Sequence, residues 1–120
     1  MGACQVLTEA VKDEPANPAL WLNLAEALSG LDRRDEEMAA LQRVLAIEPR
    51  NLRALLQKAS LLELQNKPRA AAAAYRTALQ SLVPGIRTPP WMAKLLVHAR
   101  EAVEANNRAL EAFLEERLTA

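Results

Sequence analysis

Apolar residues recur along this chain at three- and four-residue intervals, the spacing of one helix face rather than the alternation of a strand. Val6, Leu7, Ala10 and Val11 form the first such face, on a helix expected over 3–14 and ended by Pro15. Asn17 and Pro18 then supply an N-cap acceptor and a proline at the first helical position, where its missing N–H costs nothing. Leu20, Trp21, Leu24, Ala25 and Leu28 follow on a helix over 18–29, with Gly30 expected as the left-handed residue that stops it. Met38, Leu41, Val44, Leu45 and Ile47 mark the next helix, capped by Asp32 or Asp35 and closed by Pro49. Asn51 caps a helix over 52–65 that carries Leu55, Leu56, Ala59, Leu62 and Leu64. Pro68 opens a fifth, running to about residue 82 through the alanines 70–74 and then Tyr75, Ala78, Leu79 and Leu82. Residues 83–90 make the one longer loop, with Thr88 as the expected cap of the last helix. That helix, over 90–118, ends the chain, with Leu95, Leu96, Ala99, Val103, Leu110, Phe113, Leu114 and Leu118 on its apolar side. Trp91 opens it and is expected to plug the end of the preceding units. Glu101, Glu104, Arg108, Glu111, Glu115, Glu116 and Arg117 form its solvated side, and Asn106-Asn107 marks a place where it can bend.

These helices repeat. Trp21, Leu24, Ala25 and Leu28 recur 34 positions on as Leu55, Lys58, Ala59 and Leu62; Leu41, Val44 and Leu45 recur as Tyr75, Ala78 and Leu79. Leu7, Ala10, Val11 and Pro15 stand 34 before Leu41, Val44, Leu45 and Pro49. A fixed period of this length signals a solenoid of stacked units. The chain then reads as one domain: a half unit over 1–16, whole units over 17–50 and 51–84, and a loop with a long helix over 85–120. Beyond residue 84 the period is lost, and the long helix is expected to cap the open end of the stack, as terminal repeats must.

Composition narrows the function. Lys plus Arg and Asp plus Glu balance at 15 each, so no surplus of positive charge draws the chain to nucleic acid or an acidic membrane. Cys4 is the sole cysteine, which rules out an intramolecular disulfide or a cysteine zinc cluster. The chain has no 18-residue apolar run, and Glu9, Lys12, Asp13 and Glu14 interrupt the N-terminus too early for a signal peptide. A cytoplasmic protein is the expectation. Chemistry finds little to work with. His98 is the single histidine, with Glu101 one turn on, half of a metal site at best. Cys4 has no activating base nearby in sequence, and no phosphate-binding or nucleophile-elbow glycine pattern is present. No catalytic residue, cofactor or metal site is assigned.

A 34-residue helix–turn–helix with a large residue at position 4 and small ones at 8, 20 and 27 resembles the tetratricopeptide repeat. Trp21, Leu24, Ala25, Leu28, Leu41, Val44 and Pro49 fall on positions 4, 7, 8, 11, 24, 27 and 32 of the first unit. Leu55, Ala59, Leu62, Ala71, Tyr75 and Ala78 fall on 4, 8, 11, 20, 24 and 27 of the second. Two positions depart: Glu37 stands at a usually small position, Lys58 at a usually apolar one. The resemblance implies an all-α, right-handed superhelical stack whose first helices line a concave groove. Ala19, Leu22, Glu26 and Ser29, then Arg53, Leu56, Ser60 and Glu63, are the residues it points there. Asn23, Arg53 and Gln57 fall where some members of this family clamp the C-terminal carboxylate of a chaperone tail, with glutamine in place of the clamp arginine. The implied function is a module that binds a peptide or partner protein through this groove. The repeat block, proline loop and long helix together also resemble the N-terminal region of bacterial aspartyl/asparaginyl β-hydroxylase-like proteins. That implies an alternative role as the accessory domain of an iron- and 2-oxoglutarate-dependent enzyme, with a catalytic domain outside these residues. Homo-oligomerisation through the long helix is the third reading.

Overall fold

Asn17 and Asn51 begin the two helices that anchor everything else. Their side-chain oxygens accept from the backbone N–H of Ala19 at 3.1 Å and of Ala54 at 3.0 Å. Each satisfies a donor that the first helical turn leaves orphaned. The computed structural model describes residues 2–82 and 89–119. Among them the chain forms six helices: α1 Gly2–Asp13, α2 Pro18–Gly30, α3 Arg34–Ile47, α4 Leu52–Leu64, α5 Pro68–Gln80 and α6 Met92–Thr119. No strand is present among the described residues. Each helix packs on its neighbour in sequence, giving an all-α repeat stack that ends in a long helix. The Cys4 side chain and Thr88 lie outside the described residues.

The α2–α3 and α4–α5 turns share one geometry. Asp32 and Asn66, 34 positions apart, both adopt the left-handed conformation, at φ 58° and 60°. Arg33 N–H donates to Leu28 C=O at 3.0 Å and Lys67 N–H to Leu62 C=O at 2.9 Å, closing the two helices alike. Short polar side chains tolerate this conformation better than other non-glycine residues. Gly30, expected to be the left-handed residue, is instead the last helical residue of α2. The expected caps of α3 also differ. Asp32 occupies the turn and accepts from Arg34 Nε at 3.1 Å, and Asp35 lies inside the first helical turn. Arg33 is the capping residue, and its side chain pairs with Glu36 rather than capping a backbone N–H. Asn106 and Asn107 leave α6 unbroken.

Two apolar cores run through the stack. The first gathers Val11, Leu22, Leu24, Ala25, Leu28, Ala40, Leu41 and Val44 with Ala54 and Leu61 of α4. The second gathers Leu55, Leu56, Ala59 and Leu62 of α4 with Ala71, Ala74, Tyr75, Ala78 and Ala99. So α4 is a wall of both. Ala25, Ala59 and Ala99 are wholly buried, and a side chain ending at Cβ lets helix axes approach closely there. Ala99 sits 40 positions after Ala59 rather than 34. The N-terminal half of α6 therefore packs against the second core even though the sequence period has lapsed.

Glu37 is the one charged residue buried among the described residues, 6% exposed where the second unit has Ala71. Burial pushes its carboxyl above the usual 4.5, offset in part by a hydrogen bond with Ser29 and by the charge of Arg34. A raised value means that the folded chain holds this proton more tightly than the unfolded one. The associated stabilisation is complete below about pH 4.5 and is lost as pH rises through the folded value. Glu37→Gln removes the charge and keeps the shape. Its melting temperature at pH 7 should exceed that of wild type by a few degrees, and the two should converge near pH 4.

Gly30 offers a second measurable test. A Cβ built there meets nothing within 4 Å, so alanine adds helix propensity without a clash. Gly30→Ala should raise the unfolding free energy by about 0.5–1 kcal/mol, read from denaturant midpoints at unchanged slope. A loss of stability would show that the α2 terminus needs glycine after all.

Candidate functional site

The groove residues expected from the sequence lie on α2 and α4, and the structure sorts them into three groups. Leu22 and Leu56 are 9% and 4% exposed, members of the first and second cores respectively. Ala19, Asn23 and Ser29 are exposed on α2. Glu26, Arg53, Leu56, Gln57 and Ser60 come together around one cleft of about 240 Å³. Trp91 and Leu95 complete its wall. The apolar part of this surface therefore comes chiefly from the start of α6 and not from a pair of open leucines.

Three features give the cleft its character. The Arg53 guanidinium pairs with the Glu26 carboxylate, bridging α4 to α2 at its rim. Trp91, 53% exposed, and Leu95, 38% exposed, stand beside the buried Leu56. Rather than plugging the stack, Trp91 lies open at the lip. The Gln57 amide oxygen is buried with no hydrogen-bond donor among the described residues. The signal for Trp91 and Leu95 was present in the sequence as large apolar residues within the first turn or so after the proline loop. Their place beside Leu56 was not, because it depends on where α6 lies along the stack.

Glu63, also expected in the groove, has a different use. Its carboxylate accepts from the Tyr75 hydroxyl and contacts His98 Nε2 at 2.8 and 3.0 Å. The Tyr75 and His98 rings meet edge-on, with centroids 5.6 Å apart. Three helices, α4, α5 and α6, are thus tied through one carboxylate. His98 uses Glu63, 35 positions away, and not Glu101 on its own helix. No group of three or more His, Cys, Asp or Glu is placed to hold a metal among the described residues.

Burial raises the Tyr75 hydroxyl above its usual 10.0, and its hydrogen bond to Glu63 and the charge of that carboxylate raise it further. The folded chain thus holds the phenol proton more tightly than the unfolded chain. That contribution is intact below about pH 10 and is lost as the solution is made more alkaline. Tyr75→Phe should cost about 0.5–1.5 kcal/mol at neutral pH through the lost hydrogen bond. Between pH 10 and about pH 12 the melting temperature of wild type should fall more steeply than that of the variant. Parallel curves would show that Tyr75 ionises as easily folded as unfolded.

A second cleft, about 320 Å³, lies away from this one among α1, α2 and α3, lined by Thr8, Trp21, Leu24, Leu28, Glu36, Ala39, Ala40 and Arg43. Trp21 packs on the first core, donates from Nε1 to Pro15 C=O at 2.8 Å and carries the Arg43 guanidinium over its ring at 5.7 Å. It serves as core and cleft wall at once. No helix of the described residues is long and apolar enough to cross a membrane.

Comparison with known proteins gives the same architecture. A model of the tetratricopeptide repeat matches residues 18–51. Over 77 residues the chain is 35% identical to the uncharacterized protein y4yS of Sinorhizobium fredii (strain NBRC 101917 / NGR234), covering 64% of this chain and 42% of that protein. The chain thus spans less than half the length of that relative. Among solved structures, the type III secretion translocator chaperone SycD of Yersinia enterocolitica superposes with a TM-score of 0.74 at 13% identity, over 90% of this chain and 72% of that one. The tetratricopeptide repeat domain of Arabidopsis OM64 superposes with a TM-score of 0.70 at 23% identity, over 87% of this chain and 79% of that one. Residues 18–51 thus match the tetratricopeptide repeat, within an all-α repeat stack that shares the fold of these two solved structures.

Proposed function

We propose that this chain is a protein–protein interaction module that takes a segment of a partner protein along the face formed by α2, α4 and the start of α6. The observation that carries this reading is the cleft between Leu56, Leu95 and Trp91, which leaves a tryptophan half exposed beside an apolar floor. Exposed aromatic side chains beside a pocket are typical anchors of binding energy. The partner segment would seat one aliphatic or aromatic side chain there. The Arg53–Glu26 pair at the rim offers polar partners to its neighbours. Gln57 supports the same reading: a buried amide oxygen without a donor gains a hydrogen bond if it turns toward a bound backbone N–H. SycD, which shares the fold, is a translocator chaperone, and a chaperone acts on another polypeptide.

Leu22 and Leu56 are poor probes of this surface, since a charge at either would be buried. Leu95→Glu and Trp91→Ala change open positions and should leave helicity and melting temperature near wild type. Segments selected from a displayed peptide library on the wild-type chain should bind either variant at least about tenfold more weakly. Their binding should also shift the emission of Trp91 in a Trp21→Phe background. Equal affinity for wild type and both folded variants would sink the proposal.

A further inference from the structure

We infer that the distal half of α6 pairs antiparallel with the same segment of a second copy of the chain. α6 has 28 residues and α5, against which it packs, has 13. At about 1.5 Å per residue, α5 reaches along only the first half of α6. One seam runs the whole length of α6 at alternating steps of four and three: Met92, Leu96, Ala99, Val103, Asn106, Leu110, Phe113 and Arg117. That is the a/d spacing of helices that pack along each other. In the first half the seam is in use. Met92, Leu96 and Ala99 are buried, and Val103 packs on the second core. In the second half the same seam stands open, with Leu110 50% and Phe113 44% exposed, and Leu114 beside it is 48% exposed. Three large apolar residues within five positions form a patch, where scattered single ones would need no explanation.

The seam is complementary to itself in one orientation. With a two-fold axis between Glu111 and Ala112, Leu110 of one copy faces Phe113 of the other across the seam. Asn106 of one copy faces Arg117 of the other, an amide oxygen opposite a guanidinium. A parallel pairing in register would instead set Arg117 against Arg117 and Phe113 against Phe113. Glu104, Arg108, Glu111 and Glu115 lie on the far side of the helix from this seam, so the antiparallel pair brings no like charges across it. The contact leaves Trp91 and Leu95 free for the cleft. It is short, so the dimer should be weak and its population should depend on concentration.

Sedimentation equilibrium of the 120-residue chain from about 2 to about 200 µM tests this. The apparent mass of wild type should rise toward twice the monomer. Leu110→Glu/Phe113→Glu should stay monomeric over the same range, with wild-type helicity and melting temperature because both positions are exposed in the monomer. Leu110→Ser/Leu114→Ser gives the same reading if the glutamates disturb the helix. In a Cys4→Ser background, chains with Asn106→Cys should form a disulfide with chains carrying Arg117→Cys. A monomer at every concentration overturns the proposal, as does a dimer that survives in a folded variant. Asn106→Cys chains that link only to one another overturn the antiparallel orientation.

Discussion

The structure depends on one helix being apolar on two faces. Ala54 and Leu61 of α4 close the core beneath α2 and α3, while Leu55, Leu56, Ala59 and Leu62 close the core shared with α5 and α6. Each core thus takes part of its buried surface from α4. This is the general condition of a repeat stack, in which each unit buries its second face only against its neighbour. It makes α4 the element through which a change in one half is felt in the other.

The candidate site sits on the side of α4 that carries Arg53, Gln57 and Ser60. Arg53 reaches back to Glu26 on α2, and Glu63 reaches forward to Tyr75 and His98. Each contact is partly open to solvent, so its contribution to stability is small. Their value is positional. They set how α2, α4 and α6 lie relative to one another, and with that the width of the cleft that Trp91 and Leu95 wall. α6 has three parts to its role: buried against α5, open at the cleft, and unpartnered beyond the end of the stack.

Local features were the most legible in sequence. Asn17 and Asn51 cap helices because an amide followed by a helix start has few other uses for its oxygen, and Pro68 opens α5 for the same local reason. The turns were less so. Gly30 drew attention as the residue with the widest conformational freedom, yet Asp32 takes the left-handed position. The repeat itself held the clue, since Asn66 stands at the matching place in the second unit and is followed, as Asp32 is, by a basic residue. The departure at Glu37 was visible too, but whether its carboxylate would be buried or would escape to solvent depended on how closely α2 and α3 meet. The likeness to hydroxylase-associated repeats rested on the order of a repeat block, a proline loop and a long helix, a pattern that names an architecture without a chemical motif.

By itself the sequence determined the helices seen among the described residues, the caps at Asn17 and Asn51, a 34-residue period and the presence of only one histidine and one cysteine. These are products of rules that act within a few residues: side-chain direction along a helix, capping geometry and composition. Tertiary structure alone decided which side chains on the cleft-forming face remain open. It buried Leu22 and Leu56, brought Trp91 and Leu95 to the cleft, joined His98 to a carboxylate 35 positions away and left Leu110, Phe113 and Leu114 uncovered. Periodicity tells which way a side chain leaves its own helix. What it meets there depends on the length and position of another helix, and that is fixed only when the stack is assembled.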